Sequence, residues 1–158
     1  MSKQLFVDPN ELRKPGTVRF QDIPVNQYQK KVKDELGNFT KEQFIHIYRD
    51  MLTLREFETM INLIKKTGEY EGIAYNHPGP AHLSMGQEAA AVGEAFHLDT
   101  NDFIFGSHRA HSDILAKGLS AIEKLSDEEL LDIMKNFLGG STLAVVEKYP
   151  HDSVKDLA

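Results

Sequence analysis

His82-Leu83-Ser84-Met85-Gly86-Gln87-Glu88-Ala89 opens a stretch that closes on Phe105-Gly106-Ser107-His108-Arg109-Ala110-His111. Chargeable side chains stand at both ends, and a helix pattern rich in small residues lies between them. Ser84 followed by Gln87 has the spacing of a capping box, so a helix is expected to begin near Met85. Ala89, Ala90, Ala91, Gly93 and Ala95 give that helix a slim profile suited to close packing. It should end near Leu98, where Asp99-Thr100-Asn101-Asp102 is turn chemistry. Phe103-Ile104-Phe105 then reads as a short buried strand or extended run, broken by Gly106. A guanidinium and two imidazoles thus fall between a buried segment and the next helix, a suitable place to hold an anion.

The composition bounds the function classes. At 158 residues, with 41% hydrophobic and 27% charged side chains, the chain is long enough for one soluble domain with a real core. A net charge of −6 argues against a general nucleic-acid binder, whose phosphate contacts need a basic surface. The absence of cysteine excludes disulfides, a thiolate nucleophile and a thiolate zinc site. Met1-Ser2-Lys3-Gln4-Leu5 starts no hydrophobic signal run, and no apolar stretch is long enough to span a membrane. A cytoplasmic protein is the default expectation.

Upstream of the central stretch, residues 1–38 read as an extended arm with one turn of helix, punctuated by Pro9, Pro15, Gly16 and Pro24. The arm is either a flexible tail or a strap along a partner, using Leu5, Phe6, Val18, Phe20 and Ile23. Residues 39–158 form the main domain. Thr40 with Gln43 is a second capping-box spacing, followed by apolar residues at helical period from Phe44 to Ile64. Gly68 is placed to end this longest helix. Ile45, Leu52 and Leu63 fall off its main stripe, so more than one face is a candidate for burial. Arg55, Glu56 and Glu58 read, on the residues alone, as an ordinary solvated face. Residues 69–84 carry no period and read as a long loop that includes Tyr75 and His77.

Downstream, a helix starting near Ser112 is expected to weaken or end at Gly118. Ser126 with Glu129 is a third capping-box spacing, and Gly139-Gly140 terminates the helix it starts. Thr142–Glu147 suits a strand or a buried helix equally. Ser153 is placed as the cap of a last helix only just begun at Ala158, from which the chain is expected to be the front portion of a longer protein. No His pair at metal-ligand spacing has a third ligand beside it, so no metal site is expected within the chain. His46, His97 and His151 attract no role.

The motifs together resemble a known family. Leu54-Arg55-Glu56-Phe57-Glu58, His82-Leu83-x-x-Gly86-Gln87-Glu88-Ala89 and Arg109-x-His111 after Phe105-Gly106 are similar to the N-terminal part of the E1 alpha component of thiamine-diphosphate-dependent 2-oxoacid dehydrogenases, the pyruvate and acetoin dehydrogenase group. The resemblance covers roughly Phe44 to Leu125. It implies a front helical part of an α/β thiamine-diphosphate-binding fold, mainly α as it stands, with most of the parallel sheet missing. The Gly-Asp-Gly and Asn-Asn segments that hold Mg²⁺ and diphosphate in the family do not occur here, so that metal site is expected downstream.

The resemblance also assigns roles by position, and implies that Arg55-x-Phe57-Glu58 anchors its helix against the rest of the subunit instead of facing solvent. Arg109 would contact the cofactor diphosphate, as a guanidinium pairs phosphate oxygens bidentately. His108 stands where the family commonly has a tyrosine touching the same group. His82 would lie at the substrate end of thiamine diphosphate, able to hydrogen-bond a 2-oxoacid or its alkoxide. His111 would order an active-site loop or stabilise charge. Against these stand structural readings: a surface arginine, a buried satisfied histidine, a His contact beside a helix start, and Gln87 and Glu88 as helix-start residues. The resemblance makes His82 and His111 catalytic and His108 and Arg109 cofactor-binding. It implies oxidative decarboxylation of a 2-oxoacid with acyl transfer to a lipoyl-bearing E2, in company with an E1 beta component or fused beta part. The isolated segment would not be a competent catalyst. The rival functions are a non-catalytic helical interaction module and a stand-alone phosphate binder.

Overall fold

The computed structural model describes residues 8–16, 24–25, 27–76 and 78–158. They divide into two compact units, 1–37 and 38–158. The described part of the first holds two single-turn helices, α1 (Pro9–Leu12) and α2 (Val32–Glu35), where the sequence suggested one turn. The Asp34 side chain accepts the Lys31 N–H to start α2, and Glu35 Oε1 takes the Tyr28 hydroxyl at 2.8 Å and Lys30 Nζ at 2.9 Å. Leu5, Phe6, Val18, Phe20 and Ile23, the residues expected to meet a partner, lie outside the described residues, as does His77.

The second unit is built on α3 (Lys41–Thr67). Its start is fixed by the expected reciprocal cap: Thr40 Oγ1 accepts the Gln43 N–H and Gln43 Oε1 accepts the Thr40 N–H. It stops at Gly68, whose φ of 77° closes the last turn onto the Ile64 carbonyl. The chain then folds into a hairpin of β1 (Glu69–Tyr70) and β2 (Ile73–Ala74), in antiparallel register with Glu69 opposite Ala74. The loop expected at 69–84 therefore carries structure of its own. Glu71 and Gly72 both have positive φ, the conformation a two-residue turn needs, and two-residue strands are too short to show a period.

Helix α4 runs over Glu88–His97, not from Met85. The Ser84–Gln87 box does not form, because the Ser84 hydroxyl is spent on tertiary partners described below. Helix α5 (His111–Lys124) passes through Gly118 and continues. Nothing lies within 4 Å of a side chain built at Gly118, so its cost is only that of intrinsic propensity. Helices α3, α4 and α5 pack together around Leu54, Ala91, Val92, Ala95 and Ala116. The alanines of α4 let both neighbours approach, and the Ser120 hydroxyl donates to the Ala95 carbonyl at 2.7 Å. Lys117 and Lys124 reach the carbonyls of Asp99, Phe96 and Leu98, placing cations at the C-terminal end of α4. Leu54 is fully buried. Its truncation to alanine should cost about 3 kcal/mol in a urea melt.

Helix α6 (Asp127–Asn136) begins at the expected Ser126–Glu129 cap and ends in a 3-10 turn at Phe137–Gly140. Thr142–Glu147, left open between strand and helix, forms α7 (Leu143–Val146). Ser153 accepts the Asp156 N–H to start α8 (Val154–Leu157). The protein is mainly helical, and the hairpin is the one sheet among the described residues. Phe103-Ile104-Phe105 is neither a strand nor buried: Phe103 is 88% and Phe105 99% exposed. An apolar run is buried as a strand only where neighbouring strands cover it, and the described residues offer none.

Candidate functional site

The polar residues between α3, the turn before α4 and the start of α5 make one buried knot. Glu58 projects from α3 and is 0% exposed. Its Oε2 accepts the Ser84 N–H at 3.0 Å, and its Oε1 accepts the Ser84 hydroxyl at 2.8 Å. Ser84 Oγ in turn accepts the Ser112 N–H at 3.2 Å and meets Ser112 Oγ at 2.8 Å. His111, the first residue of α5, sets Nδ1 at 3.1 Å from Glu58 Oε1. Its ring stands edge-on to Phe57, with centroids 6.1 Å apart. Burying a carboxylate is tolerable only where donors surround it, and here three groups from two other segments do so.

One turn earlier on α3, Arg55 grips Glu88. Nε lies 2.6 Å from Oε1 and Nη2 3.0 Å from Oε2, and the Gly86 N–H donates to the same carboxylate at 2.9 Å. The Arg55 hydrogen bond holds the Glu88 carboxyl down at about 2, well below the usual range. Arg55 and Glu58 are thus the anchor of α3 rather than a solvated face, while Glu56 between them is exposed. Glu88 is not merely a helix-start residue: it fixes Gly86, whose φ is 97°, and with it the turn that carries His82 and Ser84.

These two clamps position the predicted site residues. His82 and His108 meet edge-to-face with ring centroids 5.0 Å apart, both exposed. His108 and Arg109 lie in the turn before α5 rather than on it. The Arg109 N–H is tied to Ser107 Oγ at 3.2 Å, and its guanidinium makes no hydrogen bond or ion pair among the described residues. Gly106 sits tight under this turn, since a Cβ there would come within 2.5 Å of the Ala110 Cβ. The His111 ring makes its contacts with Glu58 and Phe57. His82 against His108, with Arg109 next to His108 in the chain, offers hydrogen-bond donors suited to an anionic oxygen ligand. Among the described residues no three His, Asp or Glu side chains converge on a metal position.

Sequence reasoning read Ser84 only as a helix cap and missed its tertiary bonds, along with those of Ser112 and Glu88. Glu58, Glu88 and Ser112 do lie at helical spacing from the buried Leu54, Ala91 and Ala116, whereas no local pattern marks Ser84 for a tertiary bond. A concavity of about 600 Å³ lies between α3, α4 and α5 and is lined by His46, Asp50, Val92, Ala95, Phe96 and Ala116 among others. None of the four predicted site residues borders it. Burial raises the Asp50 carboxyl above its ordinary value, opposed by His46, whose Nε2 is 3.0 Å away.

A family model described as "Dehydrogenase E1 component" matches residues 49–148. The chain is 34% identical over 87 residues to the alpha subunit of acetoin:2,6-dichlorophenolindophenol oxidoreductase of Cupriavidus necator, covering 55% of this chain and 24% of that one. Its Bacillus subtilis counterpart is 36% identical over 89 residues, 56% and 25% of the two chains. The mitochondrial pyruvate dehydrogenase E1 component subunit alpha of Schizosaccharomyces pombe is 30% identical over 112 residues, 71% and 26% of the two. The chain spans about a quarter of the length of these relatives. No solved structure matches it. With all three sequence motifs inside or beside the matched span, the chain belongs to the dehydrogenase E1 component family.

Proposed function

We propose that the chain is the N-terminal segment of a thiamine-diphosphate-dependent 2-oxoacid dehydrogenase E1 component. The whole enzyme would decarboxylate a 2-oxoacid oxidatively and pass the acyl group to a lipoyl-bearing E2, with an E1 beta component or fused beta part completing the site. The observation that carries this reading is the turn before α5, where His108 meets His82 and is followed by Arg109, whose guanidinium makes no hydrogen bond or ion pair among the described residues.

The donor set fits one end of the cofactor. Arg109 and His108 offer hydrogen-bond donors for diphosphate oxygens, on a turn tight enough that Gly106 admits no side chain without displacement. The Mg²⁺ end does not fit this chain's described residues, and in this reading its ligands lie elsewhere in the enzyme. Thiamine diphosphate, when bound, supplies the nucleophile and the electron sink for decarboxylation. The chain's own residues bind and orient: Arg109 and His108 toward diphosphate, His82 as a hydrogen-bond partner for the substrate's carboxylate or carbonyl oxygen. His111 stands behind them on Glu58. Alone the segment is not a competent catalyst. In this reading the compartment is the cytoplasm, although the S. pombe relative is named as mitochondrial. Fractionation of source cells tests that point.

Calorimetric titration with thiamine diphosphate and with unphosphorylated thiamine tests the reading. Measurable binding of the diphosphate, at least tenfold tighter than thiamine, supports it. Equal affinities, or none for either, would count against it.

A second reading is a non-catalytic helical interaction module derived from the same family. Exposed Ile45, Tyr48 and Leu52 recur at helical spacing on one side of α3, and Phe103 and Phe105 stand free of the core. This favours the second reading if the chain folds stably alone and the titration shows no diphosphate preference.

A further inference from the structure

We propose that Glu58 is a positioning residue for His111, accepting the Nδ1–H hydrogen bond and so leaving Nε2 with the lone pair as the basic nitrogen of the ring. The inference rests on the placing of His111 in the proposed site, but its geometry stands apart from any cofactor. An ionised carboxylate can only accept, so each of its neighbours must donate. Ser84 supplies its N–H to Oε2 and its hydroxyl proton to Oε1. Having given up that proton, Ser84 Oγ can only accept from Ser112, and it does so from both the N–H and the hydroxyl. Every proton in the knot is then assigned, and one contact remains. His111 Nδ1, 3.1 Å from Oε1, must carry its hydrogen toward Glu58.

The consequence is chemical. In the neutral ring a proton on Nδ1 leaves the lone pair on Nε2. The imidazole is about one-third exposed at 34%, whereas the Glu58 side chain behind it is 1% exposed. With Nδ1 turned to that buried carboxylate, Nε2 is the nitrogen left able to accept a proton from substrate, and Phe57 stands edge-on to the ring. Glu58 is the α3 residue that hydrogen-bonds the His111 ring, with Phe57 of the same helix beside it. An α3 side chain assigned to anchoring thus also sets which nitrogen of His111 is basic.

The test is long-range ¹H–¹⁵N correlation spectroscopy of the full chain labelled at histidine nitrogen, with His111 assigned by its loss in His111→Gln. In the unsubstituted protein Nδ1 should resonate as a protonated, pyrrole-type nitrogen and Nε2 as an unprotonated one. Glu58→Gln keeps the shape but offers an amide N–H to the ring, and should shift the major tautomer to protonated Nε2. Should Glu58→Gln not fold, by circular dichroism, the unsubstituted spectrum decides alone. Protonated Nε2 in the unsubstituted chain, or an unchanged tautomer in folded Glu58→Gln, would overturn the proposal. No cofactor is needed, so failure here and failure of the thiamine diphosphate titration are separate results.

Discussion

Glu58 and Ser84, 26 residues apart, are joined twice: the backbone N–H of Ser84 meets Oε2 at 3.0 Å and its hydroxyl meets Oε1 at 2.8 Å. This pairing fixes the turn before α4 to the middle of α3, and Ser112 fastens α5 to the same atom. Ser84→Ala removes the hydroxyl and leaves the buried Ser112 N–H without its acceptor. The expected loss is about 2 kcal/mol, seen as a lower urea midpoint with an unchanged slope. A loss within experimental error of zero would mean that the knot relaxes without it.

The Arg55–Glu88 clamp makes stability depend on acid. The Glu88 carboxyl sits at about 2 when folded, against about 4.3 for an unconstrained glutamate. Because the folded value is depressed, the contribution is complete above about pH 4.3 and is lost as the pH falls from there toward 2. Glu88→Gln should therefore flatten the stability–pH curve in that interval while lowering stability near neutrality. Parallel curves for the two proteins would contradict the assignment.

Two helical glycines contribute little to the packing. Nothing within 4 Å would meet a side chain at Gly93 in α4 or Gly118 in α5. Gly93→Ala and Gly118→Ala should each raise stability by about 0.5–1 kcal/mol, measured by thermal unfolding. Gly106→Ala is the opposite case, because its new carbon would collide with Ala110 at 2.5 Å. That change should cost about 1–3 kcal/mol.

Phe103 and Phe105 contribute nothing to the core of this unit. Replacing both with serine should leave the urea midpoint unchanged within about 0.5 kcal/mol. It should also reduce self-association in sedimentation, as expected when exposed apolar surface is removed. A fall in stability would show that the run packs in solution.

What was legible in the sequence was local. The boxes at Thr40 and Ser126, the stop at Gly68 and the cap at Ser153 each need only neighbours within one turn, and each stands where its spacing put it. Ser84 has the same spacing yet caps nothing, because a partner 26 residues away claims its hydroxyl. The Phe103–Phe105 run failed for a related reason: an apolar segment is buried only if something covers it. Arg55 and Glu58 could be read as an anchor only through the resemblance, since helical period alone does not separate a solvated charge from a clamped one. His82 beside His108 follows from two loops meeting, which no local pattern encodes.

Residue-resolved shift mapping during titration of the full chain with thiamine diphosphate tests most directly where a diphosphate lands. The largest perturbations are predicted at His82, His108 and Arg109, and they should vanish in Arg109→Ala. Perturbations centred instead on His46, Asp50 and Phe96 in the groove, or none anywhere, would contradict the assignment of the site.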